Sequence, residues 1–130
     1  MDTVYGYPIR EPSDDELNYF RLNTHIGGYA SDDNNIVINP FTQLTDDERS
    51  LVAKNEAVRL WLRENKIEPT FNITKEQEES FFDTEYGGAE PVHIKHTILG
   101  RIISGDPSAG KITKEQKKYA DWVLRQMGGK

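Results

Sequence analysis

Gly105-Asp-Pro-Ser-Ala-Gly110-Lys111 has the glycine and lysine spacing of a phosphate-binding loop, whose backbone amides cradle phosphates while the lysine reaches them. Two neighbours oppose that chemistry. Ile112 stands where a hydroxyl must follow the lysine to hold Mg²⁺, and Pro107 limits the amides on offer. The segment therefore reads as a turn between two helices. A second pattern, Asn55-Glu-Ala-Val-Arg59, has the spacing of the zinc-peptidase helix H-E-x-x-H, with both histidines replaced. That motif works because two imidazoles one turn apart hold Zn²⁺ while the glutamate activates its water. Asparagine and arginine do not substitute, because a guanidinium repels the metal. Without zinc, Glu56 is a surface acid placed to pair with Arg59, and the stretch is at most an inactive relative of that scaffold.

His93 and His96 are three apart on one expected helix, close enough to reach a single metal. The third ligand would have to be His25 or an acid such as Glu90, and two histidines on a polar helix face are more simply read as surface residues. Ser104 and Ser108 have no base at motif spacing, and Ser13 is used as a helix cap. These readings lead to an expectation of no catalytic residue, no cofactor and no metal: the protein is expected not to be an enzyme.

Composition narrows the partners. Of 130 residues, 22 are acidic and 16 basic, a net charge of -6 that argues against direct binding to nucleic acid. The acidic runs at 14–16, 46–48 and 76–79 fall in expected first helical turns, where carboxylates oppose the positive end of the helix dipole. That local role explains them without invoking a DNA mimic. Lys117-Lys118 near Lys114 reads as a solvated helix face. Cysteine is absent, so disulfides and thiolate chemistry are excluded. No apolar run approaches the roughly 20 residues that cross a bilayer. The start MDTVYGYPIREP lacks a signal-peptide layout, so a soluble, cytoplasmic protein is expected.

The elements that would position these residues are marked by four capping boxes: Ser13/Glu16, Thr45/Glu48, Thr74/Gln77 and Thr113/Gln116. Each precedes an apolar-periodic stretch, which predicts helices over 14–23, 46–65, 75–82 and 114–127. A further helix is expected over 92–103, set off by Gly87-Gly88 and Pro91. Residues 29–39 predict a small hairpin around the polar tetrad 32–35. The helix over 46–65 is apolar around more than half its circumference, with Leu51, Ala53, Ala57, Val58, Leu60, Trp61 and Leu62. It is expected at the centre of the core. The fold class is mainly α: a five-helix domain over 13–130 with one β-hairpin, preceded by an extended arm at 1–12 that either packs on its own domain or lies on a partner. Tyr5, Tyr7, Pro8 and Ile9 in that arm are the expected partner-binding residues. Tyrosine offers large amphipathic area with few torsions to freeze, and proline lowers the ordering cost.

The segments IVINPFTQL (36–44), NEAVRLWL (55–62), ITKEQ (73–77), HTILGRIISGDPSAG (96–110) and a second ITKEQ (112–116) together resemble a group of small proteins encoded by tailed bacteriophages. The shared pattern is asparagine-proline before a helix holding Asn-Glu-Ala and arginine, then an apolar helix ending Ser-Gly-Asp-Pro-Ser-Ala. It covers roughly residues 26–125 and brings no catalytic residue with it. The resemblance implies a non-enzymatic virion component or assembly factor that contacts tail, portal or capsid proteins. It would sit in the host cytoplasm during infection and then in the virion. The alternative is an early protein that binds and inhibits a host or defence enzyme. In either case the recurring residues look structural, with Asn39-Pro40 fixing a turn and Asn55 or Arg59 bonding a neighbouring loop.

Overall fold

The protein is seen in a computed structural model that describes residues 3–82 and 91–128. The expected break at Gly87-Gly88 and the candidate ligand Glu90 lie outside the described residues. Helices α1 (Asp14–Leu22), α2 (Asp46–Glu64), α3 (Lys75–Phe82) and α5 (Lys114–Gln126) start where the capping boxes place them. In every box the hydroxyl accepts from the N3 amide, and the N3 side chain accepts from the cap amide. These bonds satisfy amides that an isolated helix start leaves unpaired. Helix α4 (Pro91–Ser104) opens on a proline, whose missing N–H costs nothing in a first turn.

The chain is mainly helical, but its sheet is larger than the expected hairpin. Strands β1 (Thr3–Val4), β2 (Tyr7–Arg10), β3 (Gly28–Ala30) and β4 (Ile36–Ile38) form one sheet in the order β1-β2-β4-β3. β3 and β4 are the expected hairpin, pairing Tyr29 with Val37. The correction lies at the N-terminus, where residues 3–10 are no free arm. They form an antiparallel β1-β2 hairpin whose second strand runs parallel to β4, with Ile9 opposite Ile36. The turn is Tyr5-Gly6, both at positive φ (51° and 86°), the backbone of a two-residue primed turn. Tyrosine is a poor residue for that conformation, and its ring offsets the strain by packing against both larger core clusters. Tyr7 and Ile9 pack on the sheet-side cluster, and the Tyr7 hydroxyl donates to Glu64 at the end of α2.

Alternation along β4 builds the layers. Ile36 and Ile38 face Ala53, Ala57 and Leu60 of α2, while Val37 points the other way to Phe20 and Ile26 beneath α1. A strand covered on both faces has no polar position, hence the unbroken Ile-Val-Ile. The opposite flank of α2 supplies Val58 and Leu62 to a second core with Phe71 and with Ile94, Ile98 and Leu99 of α4, closed by Ala120 and Val123 of α5. Helix α2 is thus sandwiched between sheet and helices, the central place its wide apolar arc predicts. Trp61 departs from that reading: it is only partly buried, at the edge of the helical core.

Candidate functional site

The polar strip of α2 faces the polar strip of α4. Asn55 Oδ1 accepts from Ser104 Oγ at 3.0 Å, and its Nδ2 donates to Asp106 Oδ2 at 3.4 Å. Further along α2, Arg59 NH1 meets His93 Nδ1 at 2.9 Å and NH2 donates to Thr97 Oγ1 at 2.5 Å. A guanidinium only donates, so His93 Nδ1 accepts and the neutral ring carries its proton on Nε2. Burial, then the neighbouring charge of Arg59, push the His93 pKa down to about 4.

His96 faces elsewhere, its Nε2 donating to the Ile67 carbonyl at 3.1 Å. The two histidines expected to converge on a metal instead serve separate hydrogen bonds, and both are partly buried rather than plain surface residues. His25 is exposed in the loop before β3, and among the described residues no His, Asp and Glu group could hold a metal ion. The glycine-lysine segment folds as an interhelical turn. Pro107–Ala109 form one 3-10 turn capped by the Asp106 carboxylate, and Lys111 is exposed. Asn39, as expected, fixes the strand-to-helix turn. Its Nδ2 donates to the carbonyls of Asn23 and Ile26, and its Oδ1 accepts from the Phe41 amide.

Glu56 is no surface acid. Only 14% of its side chain is exposed, and its Oε2 lies 3.7 Å from Arg59 Nε. Loss of solvent raises its pKa, opposed by Arg59, the Ala30 backbone amide and Arg63. The carboxyl lies on the floor of a cleft of about 600 Å³ at the outer edge of the sheet, between the two helical layers. Asp15, Glu16 and Tyr19 of α1 form one wall; Gly28, Tyr29 and Ala30 of β3 form another; Arg59 and His93 complete the base beside Glu56.

Glu16 is held in that wall by a two-pronged bond from Arg10 (2.6 and 2.9 Å), by the Tyr29 hydroxyl and by its own capping box. Arg10 above all holds its pKa down, at about 2. Glu56, Arg59 and His93 stand out in the sequence, though as surface residues, whereas Tyr19 and Tyr29 do not. Tyr29 could have been found from strand alternation, because it is paired with Val37 and shares the hairpin face that packs beneath α1.

Comparison with known proteins finds no matching family model, no matching curated protein and no matching solved structure.

Proposed function

We propose that this chain is a non-enzymatic protein of a tailed bacteriophage, a virion component or assembly factor acting through contacts with tail, portal or capsid proteins. The phage assignment rests on the sequence pattern, from IVINPFTQL to SGDPSAG. The observation that carries the binding role is how the recurring polar residues are used. Asn55 holds Ser104 and Asp106, Arg59 holds His93 and Thr97, and Asn39 holds the loop before β3. Residues so engaged maintain a scaffold and leave function to the surface. That surface keeps large apolar side chains in solvent, including Tyr19, Leu22, Phe41 and Trp122. Tyr5, Tyr7, Pro8 and Ile9, half-buried in the sheet, would lend a partner only the area they leave open.

Quantitative mass spectrometry of purified virions tests this reading. The expected result is this chain in particles at a fixed ratio to a structural protein. Absence from particles, together with co-purification of a host enzyme from early-infected cells, would replace it with the inhibitory reading. A turnover abolished by Glu56→Gln in a folded protein would make the chain an enzyme.

A further inference from the structure

Strand pairing places Tyr29 opposite Val37, on the face beneath α1, where its ring meets that of the fully buried Phe20 with centroids 5.7 Å apart. Tyr19, one position before Phe20 on α1, meets the same ring at 6.0 Å. Both tyrosines line the cleft. The Tyr29 hydroxyl donates to Glu16, which also accepts two bonds from Arg10 and one from the Ser13 amide. Those donors fill the carboxylate, so Glu16 holds the tyrosine and has no acceptor position left for a ligand. The cleft therefore has an aromatic wall fixed in advance, of which Tyr19 keeps 49% of its surface in solvent.

Glu56 is in the opposite condition. A carboxylate offers about four acceptor positions. The Ala30 amide takes one, and Arg59 Nε, at 3.7 Å, balances the charge from beyond hydrogen-bond range. Acceptor positions remain open on the floor, and the exposed Asp15 supplies more at the rim. The charges leave little to attract an ion, since Glu56 is offset by Arg59 and Glu16 by Arg10. A cation entering the base meets the Arg59 guanidinium, and an anion meets Asp15, Glu16 and Glu56. The lining suits a neutral molecule rich in hydroxyl donors, with an apolar face to lay on a ring. The volume of about 600 Å³ falls within the ~300–1,000 Å³ of small-molecule sites.

We propose that the cleft binds a pyranose sugar, free or as the terminal unit of a glycan. The C–H face of the sugar lies on Tyr19 and Tyr29. One hydroxyl donates to Glu56 and another, at the rim, donates to Asp15. A ligand lacking those hydroxyls would lose two bonds and leave the buried Glu56 short of donors. This site goes beyond the protein-contact reading above and does not depend on it.

Amide NMR of the full chain titrated with glucose, galactose, mannose and N-acetylglucosamine tests it, followed by a short oligomer of whichever sugar binds best. At least one sugar is expected to give saturable shifts centred on Tyr29, Ala30 and Glu56. An oligomer that binds more tightly than its monomer marks a glycan end as the source, and equal affinity marks the free sugar; either result supports the site. Tyr19→Ala and Glu56→Gln should each weaken binding about tenfold with circular dichroism unchanged. Tyr19 lies on the exposed wall, so its variant keeps the test valid should Glu56→Gln fail to fold.

No saturable shift with any of the sugars, shifts confined to other faces, or full-strength binding by the Tyr19→Ala protein would overturn it. So would agmatine or inorganic phosphate shifting the same residues at lower concentration than the best sugar, which would assign the cleft to an ion. Sugar binding and virion incorporation are read in separate experiments, and either can fail while the other stands.

Discussion

Gln77 and Gln116, 39 positions apart, exchange two side-chain amide hydrogen bonds of 2.8 Å each in the buried interior. Both are the last residue of an identical Ile-Thr-Lys-Glu-Gln segment and the N3 position of a capping box. The remaining bonds mirror one another. Each Oε1 also accepts from its own cap amide, Thr74 or Thr113. Each Nε2 also donates to the carbonyl preceding the other segment, Lys111 for Gln77 and Asn72 for Gln116. Two helix starts are thereby locked together, which gives the repeat a physical reason: only an equal side chain returns the same pair of bonds.

Gln77→Ala and Gln116→Ala are each expected to cost about 1–3 kcal/mol, because each strands a buried amide on the other side. The double variant should lose less than the sum of the singles, since the first already leaves the second without its partner. Urea unfolding of the four proteins measures the coupling. Additive losses would show that the two caps act independently.

Removal of residues 1–11 is expected to destabilise the domain. It takes away β1 and β2, uncovers one edge of β4, and strips Val4, Tyr5, Tyr7 and Ile9 from the core clusters. Full burial of such a side chain is worth about 1.5–3 kcal/mol. Half-burial of several still amounts to a few kcal/mol, and a melting temperature lower by about 10 °C is expected. An unchanged melt followed by circular dichroism would mean that the hairpin is only appended to the fold.

The N-terminal hairpin was also the element least legible in the sequence, and the reason is local. Primed two-residue turns are recognised by Asn-Gly or Asp-Gly, and here a tyrosine takes the first left-handed position. Pro8 beside it reads as a strand breaker, although it sits at the second residue of β2, where the ladder tolerates a missing donor. Helix starts were legible because a capping box is local chemistry: cap and N3 residue are three positions apart and need no other element to form their reciprocal bonds. The cleft was not, because it is made by packing. Asp15, Gly28, Glu56 and His93 come from four elements, and no spacing within one element announces that they meet. Likewise Trp61 lies within the apolar arc of α2, yet only the arrangement of the neighbouring helices decides that Leu60 and Leu62 are enclosed while Trp61 is at the edge.

Stability should fall with acidification between pH 6.5 and 4.5, in part through His93. Its folded pKa, about 4, is below the ordinary 6.5, so the unfolded chain binds the proton more readily. The stabilisation is complete above 6.5 and is lost as pH falls through the folded value. Glu16, ordinarily titrating at 4.5 and here held near 2, loses its contribution only below that window. His96 is depressed in the same sense, while Glu56, raised, acts oppositely and gains on acidification. His93→Gln is therefore expected to reduce the slope without abolishing it. Equal slopes for wild type and variant in urea titrations at each pH would show that His93 is not held neutral.

Gly100 should resist the substitution that normally stabilises a helix. Glycine inside a helix is about 0.5–1 kcal/mol worse than alanine, so Gly100→Ala in the middle of α4 would ordinarily be a gain. Here α2 crosses so closely that an added Cβ would lie 3.1 Å from Asn55 Oδ1, 3.2 Å from the Asn55 carbonyl oxygen and 3.3 Å from its Cα. Two of those three atoms are backbone, so the helices themselves must separate, straining the bonds from Asn55 to Ser104 and Asp106. Overpacking of this kind costs about 1–3 kcal/mol, which reverses the sign of the substitution. Adding Asn55→Ala should recover little, because it removes only the side-chain contact and leaves the backbone contacts in place. A Gly100→Ala protein that is more stable to urea than wild type would mean that α2 and α4 are not in backbone contact, and that the seam holding Arg59 and His93 is looser than its hydrogen bonds require.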